Sequence, residues 1–322
     1  MPSNNPLPLD IIQVPLSRLS IATIQETRKF GHVRFFPFVP VEDSSGKFYD
    51  FDASDFLRDE MKEVSDGDPT PLAGYKLSSG SYNCVVEALA QRIGPQRRAN
   101  YRHPALDPDR AATMFLTQKA LIRSGRRWAA KFFVTAAWTT ETTPATKWDV
   151  ATSIPIQNIQ DGKRAVEKLT GYTPNVLGLS PYAFDALKRH GDVRDYYKYV
   201  RQGVITEELL AGVFEVDEVV QFNAIYETAA EGMAKARDYM VGKHALLAYR
   251  APNPDLMQPS AGYHFVWRGL FPQAGEGEDI GVAITSERIP GTRGADEVTV
   301  QTAWDANKTG ADYGAFFLNA VT

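Results

Sequence analysis

The stretch LDPDRAATMFLTQKALIRSGRRWAAKFF, residues 106–133, contains one glycine and no internal proline after its opening Asp-Pro-Asp. Asp107 can cap the free N–H groups of a helix, and Pro108 suits the first helical turn. Gly125 costs about 1 kcal/mol relative to alanine, so it marks a bend or a close approach. We therefore predict a helix over residues 107–136, roughly 40 Å long at 1.5 Å per residue. A helix of this length is a structural spine, and we call it the spine helix.

The apolar residues of the spine helix recur at helical spacing. Met114, Leu121 and Trp128 are seven residues apart, and other large apolar side chains lie beside them. The pattern predicts a continuous core face made of Met114, Phe115, Leu121, Ile122, Trp128 and Phe132.

A basic stripe follows another side of the spine helix. Lys119, Arg123, Arg127 and Lys131 are four residues apart, and Arg126 is beside them. Two interpretations are open for Lys119, Arg123, Arg126 and Arg127. They form a solvated or salt-bridged face, with acidic partners such as Glu60 or Glu63 of a neighbouring chain, or they contact a polyanion.

Composition limits the possible classes of protein. The chain has 322 residues, 43% of them apolar, and a formal net charge of −4, so it lacks the global basic charge of many nucleic-acid-binding domains. A single cysteine, Cys84, excludes an internal disulfide and fits a reducing compartment. The first residues show no signal peptide, and no run of about 18 apolar residues predicts a membrane span.

The chain divides into segments of different character. Residues 1–40 are rich in proline and polar side chains and predict an extended arm that lies on a neighbour. Residues 46–56 and 75–93 predict the strands of a long hairpin with a polar tip. A lone hairpin is marginally stable, so we expect this one to lie on another subunit. Its candidate contact residues are Phe48, Tyr49, Phe51, Arg58, Glu60, Glu63, Tyr75, Lys76 and Tyr82.

The second half predicts an α/β body followed by strands. Residues 156–228 alternate helix, strand, helix, helix and strand, with Gly171 closing the first helix. Residues 229–240 predict a polar loop. Further strands are predicted at 241–251, 261–269, 280–289, 296–304 and 313–321.

Catalytic motifs are mostly absent from the sequence. GEGEDIG, residues 275–281, has the wrong spacing for a dinucleotide loop, and Ser180 in GLSPY is better explained as a helix N-cap than as a nucleophile. The histidines, His32, His103, His190, His244 and His264, have no ligand spacing, so we expect no metal and no cofactor. Cys84, beside Val85 and Val86, is interpreted as a structural thiol.

Several segments, in their order, resemble tailed-phage major capsid proteins with the HK97-type fold. The resemblance runs from about residue 30 onward and is carried by GYKLSSGSYNCVVEALAQRI, by the spine-helix stretch, by KLTGYTPNVLGLSPYAFDALKRHGDVRDYYKYV, by ITEELLAGVFEVDEVVQFNAIYETA, and by VGKHALLAYRAPNP followed by AGYHFVWRG. It implies an α+β fold with an extended N-terminal arm, a long β-hairpin, a spine helix, and peripheral and axial domains. The implied division is residues 1–40 for the arm, 41–95 for the hairpin, 96–171 for the peripheral domain, 172–250 for the axial domain, and 251–322 for strands returning to both.

The resemblance also implies a function. It implies a non-enzymatic shell protein that forms the pentamers and hexamers of an icosahedral phage head around double-stranded DNA, with residues 229–240 near the capsomer axis. Expected partners are other copies of the chain, a portal protein, possible separate scaffold and decoration proteins, and packaged DNA, but no membrane. The expected location is the virion capsid, assembled in the host cytoplasm. Alternatives are the shell of a bacterial nanocompartment or gene-transfer particle and, remotely, a soluble α/β enzyme.

Some members of this family join subunits through lysine–asparagine cross-links. Lys47, Lys62 and Lys76 lie in or near the hairpin, and Asn307 lies near the C-terminal strands, but no catalytic glutamate matches a motif. Because Glu60 and Glu63 lie in a charged tip, we expect a shell held by non-covalent contacts.

Overall fold

The computed structural model describes residues 29–51, 53–66, 69–100, 107–197, 206–253, 258–270, 282–289 and 294–322. The helices are α1 His32–Phe35, α2 Ala53–Phe56, α3 Pro95–Asn100, α4 Pro108–Phe132, α5 Pro155–Thr170, α6 Pro181–Arg189, α7 Gly191–Tyr197 and α8 Glu207–Phe214. The strands are β1 Phe38–Val41, β2 Ser45–Phe51, β3 Leu77–Asn83, β4 Val86–Ile93, β5 Thr140–Thr142, β6 Val176–Leu179, β7 Glu218–Gln221, β8 Ile225–Glu227, β9 Arg237–Tyr239, β10 Ala245–Ala248, β11 Gly262–Trp267, β12 Val282–Arg288, β13 Asp296–Lys308 and β14 Gly314–Phe317.

The spine helix is α4, and its start agrees with the prediction. The Asp107 side chain accepts a hydrogen bond from the Asp109 backbone N–H, as an N-cap does. Its end at Phe132 comes earlier than the predicted residue 136. Ala136 has a left-handed φ of 62°, and the Trp138 indole N–H donates to the Phe132 carbonyl at 2.9 Å. The indole thus satisfies one of the carbonyls that the helix end leaves without a partner.

The predicted core face of the spine helix is correct in its second half and wrong in its first. Leu121, Trp128 and Phe132 are buried, and Ile122 is partly buried against the same cluster. Met114 and Phe115 were expected in the core, but they are 44% and 52% exposed.

The error has a geometric cause. Seven residues fall about 20° short of two full turns, so a seven-residue pattern drifts around a straight helix. In the first half, Ala112 and Leu116 are the buried apolar residues instead, and they pack with Ile93 of β4 in a separate cluster that includes residues of β12 and β13.

Two five-stranded sheets form the body. The first has the order β1-β11-β13-β12, and β4 pairs with β13 on the edge opposite β12. The spine helix packs against β13 and β4. In this sheet β1 is parallel to β11 and the other pairs are antiparallel. The second, which we call the central sheet, has the order β5-β14-β10-β6-β7. The strands predicted in the last third of the chain are confirmed, and the fold is α+β.

The central sheet is buried on both faces because its side chains alternate between two apolar clusters. Val176, Leu246 and Phe316 lie in the aromatic cluster around Trp128. Leu177, Leu247 and Phe317 belong to a second cluster built with residues of α5, α6 and α8. Strands buried on both faces read as continuous apolar runs, as VLGL of β6 and ALLA of β10 do.

Gly178 of β6 is required by the packing of the central sheet. A Cβ atom at this position would lie 2.7 Å from ring carbons of both Phe35 and Phe222. Real Cβ contacts are not this short, so the glycine allows the aromatic cluster to approach the sheet backbone.

Part of the predicted arm belongs to the core. Phe30, Phe35 and Phe36 are buried in the aromatic cluster, and β1 pairs with β11. The expectation that residues 1–40 form an arm outside the core is therefore wrong for residues 29–40. Three aromatic rings close together in sequence bury enough apolar area to fix this segment on its own chain. Residues 1–28 lie outside the described part.

Local signals in the α/β body are confirmed. Gly171 closes α5 with a φ of 76°, and the Ser180 hydroxyl accepts from the Ala183 N–H at 3.2 Å at the start of α6. The single strand predicted at 215–228 is two strands, β7 and β8. The loop predicted at 229–240 contains β9, which pairs with β8 in a small ribbon.

Candidate assembly surface

The basic stripe of the spine helix is largely neutralised within the chain. Arg123 donates two hydrogen bonds to Glu87 Oε1, from Nε at 3.0 Å and from Nη2 at 2.8 Å. Arg127 Nη1 lies 3.3 Å from the other oxygen of Glu87. Glu87 lies on β4 beside the helix, so both arginines fasten the helix to the first sheet. The Arg123 side chain is 63% exposed, and pairs of this kind contribute little, up to about 1 kcal/mol.

Asp305 of β13 is the second acidic centre. Its side chain is only 8% exposed, and it accepts hydrogen bonds from Lys131 Nζ at 2.5 Å, the Asn83 backbone N–H at 3.1 Å and Asn307 Nδ2 at 2.8 Å. Arg127 Nη2 lies 3.7 Å away. Three donors and a guanidinium around one buried carboxylate tie the helix, β13 and the hairpin base together.

The salt-bridge interpretation of the stripe therefore fits Arg123 and Arg127, but with partners that the sequence analysis did not identify. Glu87 and Asp305 of the same chain take the place expected for Glu60 or Glu63 of a neighbour.

Lys119 and Arg126 have different surroundings. The Lys119 ammonium lies 5.5 Å from the Phe115 ring centroid, and the Arg126 guanidinium lies 4.8 Å from that of Tyr226. Within the described part of the chain, neither forms an ion pair with a carboxylate. These two cations are the members of the stripe left for an external anion.

A hairpin is confirmed within the predicted segments, but Ala53–Phe56 form α2 and Val86–Ile93 form β4, which pairs with β13 and not with β2. β2 and β3 are antiparallel from Ser45↔Asn83 to Phe51↔Leu77, and the segment between them is exposed. At its tip Arg58 pairs with Asp55 at 3.3 Å, and Asp55 Oδ2 accepts from the Lys76 backbone N–H at 2.8 Å. These contacts hold together the two ends of the exposed segment, next to the ends of β2 and β3.

The candidate hairpin residues fall into two groups. Phe48 and Tyr82 stack on Phe265 of β11 at centroid distances of 5.6 and 4.7 Å, so these two rings have packing partners within their own chain. Their rings close a small apolar cluster over β11. The others with described side chains, Tyr49, Arg58, Glu60, Glu63, Tyr75 and Lys76, are exposed. Phe51 ends β2, and its side chain lies outside the described part.

Asn307 is engaged inside the chain. Its Oδ1 accepts from Lys131 at 3.0 Å, and its Nδ2 donates to Asp305 and to the Ser81 carbonyl at 3.3 Å. The amide is thus held by groups other than Lys47, Lys62 and Lys76, the lysines considered for a cross-link.

Two buried histidines form a hydrogen-bond relay that the sequence does not reveal. His264 Nε2 donates to the His32 carbonyl at 3.0 Å, and His32 Nε2 donates to the Ser124 hydroxyl at 3.0 Å. Ser124 donates in turn to the Leu121 carbonyl at 2.9 Å. Burial lowers the pKa of His32 to about 3 and that of His264 to about 4, so both rings are neutral.

His264 Nδ1 is buried and has no hydrogen-bond partner among the described residues. The relay crosses from β11 through α1 to the spine helix, so it ties residues 29–36 to both. Cys84 is also buried, as expected, and burial raises its pKa to about 11.

A serine, a histidine and an aspartate do meet in the structure, at Ser153, His190 and Asp192. Ser153 Oγ lies 2.9 Å from His190 Nε2. His190 Nδ1, however, accepts from the Asp192 backbone N–H at 3.3 Å, while the Asp192 carboxylate is 3.9 Å away. The proton therefore sits on Nε2, which donates to Ser153 and cannot take its proton. The trio lacks the tautomer that nucleophilic catalysis requires.

His190 also lines an open cavity of about 360 Å³ between α6 and residues 321–322. No group of three or more potential metal ligands occurs among the described residues. The described helices include none with the length and apolarity needed to cross a bilayer.

Several solved structures share the fold of this chain. A phage-related protein from Bordetella bronchiseptica RB50 superposes with a TM-score of 0.69 and 20% identity, over 97% of this chain and 99% of that chain. The capsid structure of the cyanophage P-SCSP1u gives a TM-score of 0.53 at 10% identity, over 88% and 86%. The SrpI encapsulin from Synechococcus elongatus PCC 7942 gives 0.51 at 12% identity, over 90% and 87%. The chain has the HK97-type fold, as the resemblance implied.

Sequence similarity is more specific within that class. The profile of the family described as phage major capsid protein E matches residues 117–253, which is less than half of the chain. The major capsid protein of Burkholderia phage BcepMu is 35% identical over 80 residues, covering 25% of this chain and 26% of that protein. The match thus spans about a quarter of the curated relative's length. The resemblance to phage major capsid proteins is confirmed.

Proposed function

We propose that this chain is the major capsid protein of a phage, which self-assembles into the pentamers and hexamers of an icosahedral head around double-stranded DNA. The observation that carries the proposal is a fold that matches a phage-related protein along nearly the whole length of both chains. The match of residues 117–253 to phage major capsid protein E supports a phage capsid over the other shells that share this fold.

Exposed apolar side chains support assembly. In the single chain Met61 is 92% and Leu72 is 98% exposed at the hairpin tip. Exposed apolar groups of this kind, gathered on one projection, are expected where subunits meet. A shell interface of roughly 2,000 Å² or more would bury them.

The proposal includes partners and a location. The chain contacts other copies of itself, a portal protein, and scaffold or decoration proteins where the phage encodes them. It meets packaged DNA through non-specific contacts, for which Lys119 and Arg126 are the candidates, since Arg123 and Arg127 are compensated internally. It resides in the virion capsid after assembly in the host cytoplasm.

Electron microscopy of the purified chain tests the proposal. We expect capsomers or closed shells, and light scattering that shows only monomers at high protein concentration would contradict it.

A nanocompartment shell is the second candidate, because the fold is shared with the SrpI encapsulin. The nucleic-acid content of particles isolated from the native host separates the two functions. Particles filled with double-stranded DNA support the phage head, whereas particles that enclose protein cargo support the nanocompartment. No catalytic role is proposed, because the Ser153–His190 pair has the unproductive tautomer.

A further inference from the structure

The chain turns sharply where the hairpin joins the first sheet. β3 ends at Asn83 and pairs with β2, whereas β4 begins at Val86 and pairs with β13. Only two residues separate the strands, so the direction in which the hairpin leaves the body is decided there. We call residues 83–85 the elbow.

Backbone hydrogen bonds shape the elbow. The Val85 N–H donates to the Asn83 carbonyl at 3.0 Å, and the Cys84 N–H donates to the Ser44 carbonyl at 2.7 Å. The buried Cys84 thiol donates to the Phe265 carbonyl at 3.5 Å. These bonds close the turn and fasten it to β11, but none of them reaches the spine helix.

Asp305 connects the elbow with the spine helix through its two carboxylate oxygens. Oδ2 serves the hairpin side, where it accepts from the Asn83 N–H at 3.1 Å and from Asn307 Nδ2 at 2.8 Å. Oδ1 serves the helix side, where Lys131 Nζ lies 2.5 Å and Arg127 Nη2 3.7 Å away. One buried carboxylate is thus shared between the elbow and the end of the helix.

Asn307 repeats this arrangement two residues further along β13. Its Oδ1 accepts from Lys131 Nζ at 3.0 Å, and its Nδ2 donates to the Ser81 carbonyl of β3 at 3.3 Å. Both side chains therefore bind the hairpin with one end and the spine helix with the other. We call Asp305 and Asn307 the hairpin clamp.

We propose that the hairpin clamp sets the direction of the hairpin relative to the spine helix, with Asp305 as the principal positioning residue. This inference rests on the proposed function, because the direction matters only where chains assemble. The seven residues of β3 span roughly 23 Å, so a turn of about 10° at the elbow moves their far end by about 4 Å. Interfaces pack as densely as protein interiors, so a displacement of this size changes the shell that can close.

The chemistry of the clamp suits a positioning role. Phe48 and Tyr82 lie nearly flat on Phe265, with interplanar angles of 18° and 14°. Flat rings can slide over one another and keep their contact, so the stack alone leaves the angle of the hairpin free. Hydrogen bonds to the Asp305 carboxylate are directional, and buried charged groups can select one arrangement of the elements that they join.

Three substitutions separate the clamp from general stability. Asp305→Asn removes the charge at the centre of the clamp, and Asn307→Ala removes the amide that reaches Ser81. Gly178→Ala is the matched control, because it disturbs close packing in the central sheet and touches no residue of the hairpin. Urea unfolding ranks the three variants by their loss of stability.

Spin labels measure the direction of the hairpin directly. Lys62→Cys and Arg110→Cys place one label on the exposed segment of the hairpin and one on the exposed side of the spine helix. Cys84 is buried, so the introduced cysteines take the labels. Double electron–electron resonance gives the distance between the labels in the unassembled chain, and electron microscopy gives the diameters of the shells formed by the unlabelled variants.

We expect one narrow distance distribution and one shell diameter for the unmodified protein and for Gly178→Ala. In Asp305→Asn and Asn307→Ala the distance should shift or broaden by about 4 Å or more, as the length of β3 requires. Their shells should have more than one diameter. If Asp305→Asn does not fold, Asn307→Ala carries the test, since it leaves Asp305 with its charged partners.

Unchanged distances in both clamp variants would overturn the inference and leave the proposed function intact. An equal change in Gly178→Ala would overturn it too, because general destabilisation would then explain the result. Shells of one diameter from clamp variants with altered distances would overturn the link from the hairpin to the shell. An unmodified protein that stays monomeric would overturn the proposed function, and the distances in the monomer would still decide whether the clamp positions the hairpin.

Discussion

The buried histidine relay predicts that the subunit loses stability in mild acid. His32 and His264 are 2% and 0% exposed and neutral in the folded chain, with pKa values lowered from 6.5 to about 3 and about 4. The unfolded chain binds a proton at each histidine below pH 6.5. Their contribution is therefore fully present above pH 6.5 and is lost as the pH falls toward 4.

The size of the effect follows from the shift in pKa. Each unit of pH below 6.5 lowers the free energy of unfolding by about 1.4 kcal/mol for each histidine. At pH 5 the loss is therefore about 2 kcal/mol for each histidine and about 4 kcal/mol for the two together. The charged groups that act on His264 are Asp305, which raises its pKa, and Lys131, which lowers it. Protonation would also place a second N–H at Nδ1, where the described structure offers no acceptor.

The substitution His264→Gln isolates this effect, because its amide can still donate to the His32 carbonyl but does not titrate. Urea unfolding followed by tryptophan fluorescence should show a loss between pH 7 and pH 5 that is about 2 kcal/mol smaller than in the unmodified protein. His32→Gln, which keeps a donor for Ser124, should behave similarly. An identical loss in the unmodified protein and in both variants would refute the reasoning, since carboxylates contribute equally to all three.

Three further outcomes are expected. Gly178→Ala should cost about 1–3 kcal/mol in unfolding free energy, because the new methyl group meets two buried rings. Gly94→Ala, where a Cβ meets nothing within 4 Å, should change the unfolding free energy by less than about 0.5 kcal/mol. Equal effects of the two substitutions would contradict the packing argument. Asp305→Asn should also lower the unfolding free energy by about 1–3 kcal/mol, because Lys131 is left with a neutral partner. An unchanged unfolding free energy would show that this carboxylate does not stabilise the fold. Assembled particles boiled in detergent should run as one band of monomer mass, because the amide of Asn307 is already engaged within its chain; a ladder of covalent oligomers would contradict a non-covalent shell.

Signals that act over a few residues were predictable from the sequence. Asp107 and Ser180 cap their helices and Gly171 closes another, because each bond joins groups within four residues of each other. The strands of the hairpin were also predictable, since their alternation of side chains reflects one exposed face.

Contacts between distant segments were not predictable in the same way. Glu87 and Asp305 neutralise the basic stripe, but they lie 36 and 174 residues from the residues they bind, and no periodicity links them to the helix. Acidic residues are common in this chain, so charge alone did not select these two. The relay from His264 to His32 spans 232 residues and has no local signature.

The predictions for the N-terminal arm and for the core face of the spine helix were wrong for related reasons. Residues 29–40 were grouped with the proline-rich start, although their aromatic rings are buried. Met114 was placed in the core by a period of seven, whereas the first half of the helix packs through Ala112 and Leu116. In both cases contacts with distant parts of the chain decided which apolar residues are buried, and the local sequence does not show those contacts.

The central sheet has a mechanical consequence for a shell built from this chain. Because one face holds the aromatic cluster of the spine helix and the other holds α5, α6 and α8, neither layer can slide without reopening a close-packed core. The sheet therefore behaves as a stiff plate of low compressibility. When a shell of such subunits swells or is loaded from inside, the plates would turn and shift as whole bodies. The deformation would then concentrate in the exposed hairpin and in the β8–β9 ribbon, which bury little apolar surface.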